Sequence, residues 1–321
     1  MDEKKNLSGV AVSWLKKGGW IVIADVIVFA ALLVSFAYLH HGMERTEFGA
    51  RLVSCRSSVV YKLESGFDIA FDDGDTGYFE FDGRFAARTP ETVKNGDTTY
   101  YKDDRSEITV TTYYLETGRV QVADVYISDI AKLQTATAYH SYGKGLREDP
   151  LEMAVREGAV FSMTGDNYSE RNGGVVMRNG VLYSQDIDRD ICVLNWDGSM
   201  DMYRQNEFDL TAIMEKGAYQ IWSFGPILVE DGEAAEDFVT DMLTPCRRAA
   251  IGYYEPGHYC FVIMDGEVTL EQLADTMVIL GCDSSYALYG GRLAEMSLNG
   301  DIMSTYQEAD RECSDIIMIV R

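Results

Sequence analysis

The chain is short of positive charge: 28 Lys and Arg stand against 52 Asp and Glu in 321 residues. It has four histidines, five prolines and no Cys-x-x-Cys pair among its six cysteines. Each scarcity removes a class of function. A field this negative repels anionic polymers, so nucleic-acid binding is set aside. There is no His-Glu-x-x-His, no Gly-x-Ser-x-Gly and no phosphate loop ending in Gly-Lys-Ser/Thr, which sets aside zinc hydrolysis, triad chemistry and nucleotide hydrolysis. No metal or cofactor is expected. Asp72, Asp73 and Asp75 lack the spacing and distal Glu of a calcium loop and read as a solvated turn.

Apolar runs long enough to cross a membrane are also scarce, with a single candidate. Trp20 to Leu39 is interrupted only by Asp25, and its length matches the ~30 Å of hydrocarbon a helix must cross. Ser35-Phe-Ala37 resembles a leader cleavage site, but the run exceeds the ~7–15 residues of a secretory core, which favours an uncleaved anchor. Lys4, Lys5, Lys16 and Lys17 precede it, so the positive-inside bias puts the N-terminus in the cytoplasm and everything after His41 outside. The expected organisation is a cytoplasmic tail (1–19), a transmembrane anchor (20–40), a stalk or β-rich extension (41–97) and a main domain (98–321). Setting aside the four lysines and three carboxylates in and before the anchor, the outer part carries 24 Lys and Arg against 49 Asp and Glu. All six cysteines lie on that side, where disulfides persist. Cys192, Cys260 and Cys282 fall in apolar runs, as buried thiols do, and the spacing leaves every pairing open.

The main domain reads as α+β: a mixed, hairpin-rich sheet with interspersed helices, preceded by the transmembrane helix. Glu107–Glu116 and Val120–Ser128 alternate with period two and are rich in β-branched and aromatic residues. Asp149-Pro150-Leu151-Glu152 opens a helix that Gly158 stops. Asn179-Gly180 and Asp197-Gly198 each suit a two-residue type I′ turn. Leu210–Lys216 is a helix closed by Gly217, and Thr269–Gln272 is a capping box. Ala249–Tyr254 and His258–Met264 pair as strands, and Asp315–Val320 is a buried final strand. The stretch Gly281–Gly300 leaves a helix, runs a short strand into Gly290-Gly291 and returns through Asn299-Gly300, a layout that brings backbone close to a ligand.

The order of Ser162-Met-Thr-Gly-Asp-Asn-Tyr168, Arg171, Gly174–Tyr183, Arg189-Asp190, Ser223–Val229, Arg248–Gly252, Val262–Gly266 and Gly281–Gly300 resembles the phosphodiester glycosidase family. That family is uncovering-enzyme-like and includes bacterial exopolysaccharide-associated proteins; the likeness covers about residues 100 to 321. It implies a membrane-anchored extracytoplasmic hydrolase acting on a sugar-1-phosphodiester or other phosphorylated glycan. By the same resemblance Asp166 and Arg248 are the catalytic candidates. Thr164, Gly165, Arg171, Arg189, Gly290, Gly291 and Arg292 are the substrate-binding ones. Arginine suits phosphate because its planar fork binds two oxygens at once, and a carboxylate suits acid–base work on the sugar. Two departures stand out. Thr164 replaces the family's Asn before Gly-Asp, and Leu288-Tyr-Gly-Gly-Arg-Leu-Ala294 replaces Leu-Asp-Gly-Gly-Gly-Ser-Ser. Tyr289, Leu293 and Ala294 thus stand where polar groups are expected, and the alternative is a catalytically inactive relative that binds phosphorylated glycans at the cell surface.

Overall fold

The computed structural model describes residues 61–62, 68–69, 85, 89–115, 118–171, 173–238, 240, 243–304 and 312–321. All of these fall in one compact unit, Arg56–Arg321. The Trp20–Leu39 run, the Asp72/Asp73/Asp75 cluster and Cys55 lie outside the described residues. No described helix is long and apolar enough to cross a membrane.

Strands dominate. β1 (Tyr61–Lys62) and β2 (Asp68–Ile69) form a small pair, and β3 (Glu91–Asn95), β4 (Thr98–Lys102), β5 (Ser106–Leu115) and β6 (Gly118–Ile127) form a meander. The meander therefore begins at Glu91, before residue 98. After β7 (Leu133–Thr137) come helix α1 (Pro150–Glu157) and β8 (Ala159–Thr164). Two hairpins follow, β9 (Gly174–Arg178) with β10 (Val181–Asp186), and β11 (Ile191–Asn195) with β12 (Met200–Tyr203). Helix α2 (Leu210–Lys216) then leads to β13 (Ala218–Trp222), β14 (Ile227–Glu230) and β15 (Glu233–Ala234). The last elements are β16 (Cys246–Glu255), β17 (His258–Val268), α3 (Leu270–Ile279), β18 (Ser284–Leu288), β19 (Met296–Leu298), β20 (Asp301–Ser304) and β21 (Asp315–Val320).

Nine strands form one sheet in the order β15-β14-β18-β16-β17-β6-β5-β4-β3. Two five-stranded sheets follow the orders β10-β9-β13-β11-β12 and β20-β19-β8-β21-β7. The expected mixed sheet is corrected here: every strand pairing among the described residues is antiparallel. The reason lies in where the helices cross. Each joins two strands that flank a third: α1 spans β21, α2 spans β11 and α3 spans β16. The joined strands run the same way, yet an antiparallel strand always separates them.

The helix ends form as their sequences dictate. The Asp149 carboxylate accepts from the N–H groups of Leu151 and Glu152, and Gly158 closes α1 at φ 70°. Thr269 and Gln272 cap α3 reciprocally. At Asn179-Gly180 both residues have positive φ, as a type I′ turn requires. The second hairpin differs from expectation: only Gly198 is left-handed, and its N–H bonds Asn195 O at 3.0 Å, so the turn is longer than two residues.

Both faces of the nine-stranded sheet are covered. Ala249, Ile251, Phe261 and Leu288 face a core shared with Phe161, Met163 and Ile317 of one small sheet and Leu194 and Trp222 of the other. Ala250, Cys260, Val262 and Met264 face the opposite way, toward Leu273, Ala274 and Met277 of α3. Strand alternation explains this division. It also explains the unbroken apolar run of β21, whose Ile317 and Ile319 enter the central core while Ile316 and Met318 meet α1.

Candidate functional site

The chain passes from sheet to sheet at points that lie together. Ser223-Phe224 leaves β13 for the nine-stranded sheet, Tyr289-Gly290 leaves that sheet for β19, and Gly165-Asp166 follows the end of β8. Tyr289 donates its N–H to Gly165 O at 3.2 Å, Ser223 donates to Asp166 Oδ2 at 3.1 Å, and the Phe224 and Tyr289 rings meet edge to face at 5.3 Å. Thr164 is tied to the same region through Glu295, whose carbonyl accepts its N–H at 3.1 Å.

Asp166 is wholly enclosed. Its Oδ1 accepts from Arg178 at 2.7 Å, and its Oδ2 accepts from Arg171 at 3.2 Å as well as from Ser223. Arg178, also buried, reaches a second enclosed carboxylate, Asp315, at 2.9 Å. It donates further to Met177 O at 3.0 Å and to Ile221 O, with its guanidinium over the Tyr168 and Trp222 rings. A buried carboxylate is stable only when its charge is matched and its oxygens are occupied. Two arginines and two aspartates meet that condition here.

Burial pushes the Asp315 carboxyl up from 3.8 to about 6; the Asp166 charge adds to this, and Arg178 opposes it. The folded state therefore holds this proton more tightly than the unfolded chain. The resulting stability is complete below about pH 4 and is lost as pH rises through about 6. Asp315→Asn, which mimics the protonated form, is expected to gain relative to wild type between pH 4 and pH 7. Urea denaturation midpoints across that range check this, and a pH-independent difference would refute it.

Arg171 lies at the edge of the cluster. It donates to Ser223 O, to Asp166 and to Ser223 Oγ at 3.4 Å, and its guanidinium stands 5.8 Å from the Phe224 ring centre. Its Nε is buried and has no acceptor among the described residues. Gly174 makes room for it: a Cβ there would lie 2.6 Å from Ser223 Oγ and 3.3 Å from both terminal nitrogens of Arg171. Arg189 approaches the same phenyl ring at 5.9 Å and donates to Phe224 O at 3.3 Å. Two guanidinium groups thus converge on Phe224, beside Tyr289. Burial raises the Tyr289 hydroxyl, and Glu170 and Arg147, themselves paired at 2.6 Å, act on it with opposite signs.

Thr164, Gly165, Asp166, Arg171, Arg189 and, through Tyr289, Gly290 are therefore brought together. Arg248 does not join them. Its Nε bonds Val268 O at 3.1 Å and its terminal nitrogen bonds Thr244 O at 2.8 Å, on the α3 side of the sheet. The next residue back points the other way, as alternation requires. Arg247 bonds Asp265 at 2.6 Å, Ser304 Oγ at 2.6 Å and the carbonyls of Ala294 and Gly291. Arg247, not Arg248, thereby holds the turn after Gly290-Gly291, while Arg292 is exposed on it. The close backbone approach at Gly290 is made to strand β16: a Cβ would stand 2.3 Å from Arg247 O.

Arg178, Asp315 and Phe224 were not singled out from sequence. The signal was present for the first two, since each is a charge inside or opening an otherwise apolar strand, where a partner is obligatory. Among the described residues, no group of three or more His, Cys, Asp or Glu could hold a metal.

This α+β fold, with its arginine–aspartate cluster at a sheet junction, has recorded relatives. Residues 149–320 match the phosphodiester glycosidase family, and the chain belongs to that family. The catalytic domain of zebrafish N-acetylglucosamine-1-phosphodiester alpha-N-acetylglucosaminidase, solved auto-inhibited by its pro-peptide, superposes with a TM-score of 0.51 at 18% identity. That match covers 73% of this chain and 89% of the zebrafish domain. A hypothetical protein from Synechocystis superposes at 0.53 with 13% identity over 73% of this chain and 64% of its own. In sequence, an uncharacterized SPbeta prophage-derived protein of Bacillus subtilis strain 168 is 26% identical over 230 residues. That alignment takes in 65% of this chain but only 35% of the relative's length.

Proposed function

We propose that this domain hydrolyses a sugar-1-phosphodiester outside the cytoplasmic membrane, with Arg171 and Arg189 receiving the phosphate. One observation carries the reading: Arg171 is pinned by Asp166 and Ser223 beside Arg189, so that two guanidinium groups converge on the Phe224 ring. Hydrolysis places water oxygen on the sugar C1, breaks the bond from C1 to the phosphate oxygen, and leaves free sugar and a phosphate monoester. Charge develops on the departing phosphate, where preorganised guanidinium groups stabilise it most. In this reading the enclosed Asp166 positions Arg171 and does not itself meet the sugar. Asp188 is a carboxylate beside these arginines, with its Oδ2 3.9 Å from Arg189 Nε. The Trp20–Leu39 run serves as the anchor, and the glycan belongs to the cell surface or an exopolysaccharide.

A second reading, glycan-phosphate binding without turnover, is favoured by Tyr289 at the family's Asp position and by the enclosure of Asp166. Both are tested by incubating the purified full chain with α-GlcNAc-1-phosphodiesters and wall-polymer fragments. Released sugar supports hydrolysis. Calorimetric binding without release moves the assignment to the second reading, and neither binding nor release overturns both.

A further inference from the structure

Five described cysteines, Cys192, Cys246, Cys260, Cys282 and Cys313, carry free thiols, and the proposed function uses none of them. Two are neighbours: Cys260 Sγ on β17 and Cys282 Sγ, between α3 and β18, stand 3.4 Å apart in the apolar layer beneath α3. The room for both sulfurs comes from Gly252, directly opposite Cys260 across the β16–β17 pair. A Cβ on Gly252 would lie 2.6 Å from Cys282 Sγ and 2.7 Å from Cys260 Sγ. Backbone bonds fix the approach of Cys282, with its own N–H to Met277 O at 3.1 Å and that of Asp283 to Tyr253 O at 2.9 Å. From this arrangement we infer that Cys260 and Cys282 form a disulfide, a covalent clasp that ties the exit of α3 to β17 and fixes the start of the strand leading to Tyr289.

Closing 3.4 Å to the ~2.05 Å of a sulfur–sulfur bond requires only a small displacement between sulfurs already in contact. The chemistry is thiol–disulfide exchange with an external small-molecule or protein disulfide. One cysteine thiolate attacks that disulfide and expels one of its thiolates; the second cysteine thiolate then attacks the mixed bond and expels the other. The protein loses two electrons and two protons, and the oxidant becomes two thiols. The hydrogen bond shared with Cys282, followed by burial, keeps Cys260 protonated in the folded domain, so the exchange belongs to folding, when both sulfurs are still open to solvent.

The test uses the full chain, reduced and unfolded, then refolded in a buffer of oxidised and reduced glutathione and alkylated. Residues 249–291 contain no Lys or Arg, so one tryptic peptide, 249–292, carries both cysteines. The expected peptide is unalkylated and lighter by two hydrogen atoms than its dithiol form, and cleavage after Glu267 yields two fragments still joined. Alkylation of both cysteines, or linkage of either to another cysteine, overturns the inference. Reductant is expected to lower the melting temperature of the oxidised protein by about 5–10 °C and to leave a Cys260→Ala/Cys282→Ala variant unchanged. An unshifted oxidised protein would refute the clasp as a stabilising element. The same peptide from cells trapped with acid and N-ethylmaleimide tests the compartment separately: reduced in cells but joined after refolding removes the outward orientation and keeps the pairing.

Discussion

Replacing Arg178 with methionine is expected to destabilise the domain by about 3–5 kcal/mol, the cost of breaking a buried ion pair from one side. Methionine fills much of the same volume, so the loss is electrostatic. Asp166 and Asp315, both fully enclosed, would share one cation, Arg171, which reaches only Asp166. Urea unfolding followed by tryptophan fluorescence measures this. The loss is expected to be greater at pH 7 than at pH 5, because Asp315, whose carboxyl burial raises to about 6, becomes neutral as pH falls. Arg178→Met combined with Asp315→Asn is expected to recover part of it, since one of the unpaired charges is removed. A single-variant loss below about 1 kcal/mol would show that the cluster does not carry its charges as described.

The second large effect concerns rate. Arg171→Met is expected to lower kcat/KM on a sugar-1-phosphodiester by about 10²–10³-fold, the usual consequence of removing one preorganised donor to developing charge. Asp166 would keep Arg178 and the Ser223 N–H, so the melting temperature should fall only slightly. Arg171→Lys restores the charge without the fork and is expected to recover little. Arg248→Met is the informative contrast. Its guanidinium bonds the Val268 and Thr244 carbonyls on the α3 side, so its loss should lower stability and leave kcat nearly unchanged. The reverse pattern, with kcat surviving in Arg171→Met and collapsing in Arg248→Met, would place the phosphate elsewhere.

The contrast between these arginines shows where sequence reasoning stops. Arg247 and Arg248 are adjacent and chemically identical, and in a strand one of them must face each side of the sheet. Which faces the turn depends on which side packs against α3, a relation set by residues far along the chain. Asp166 illustrates the same limit. Its place after an apolar strand was legible, but its enclosure comes from Arg178, Ser223 and Arg171 on three other segments. The pairing of Cys260 with Cys282 likewise depends on the register of β16 and β17 around Gly252.

What the sequence determined by itself was local and periodic. The caps at Asp149 and Thr269, the stops at Gly158 and Gly217, the Asn179-Gly180 turn and the bounds of Asp315–Val320 follow from side chains within a few residues of one another. The motif order also sufficed for the family. Tertiary structure alone decided the antiparallel pairing seen throughout the described residues, the face each arginine takes, and the meeting of Gly165, Ser223 and Tyr289 at one junction. The physical reason is that capping and turn formation are short-range, whereas the matching of buried charges and the choice of strand face are settled only when distant segments exclude water together.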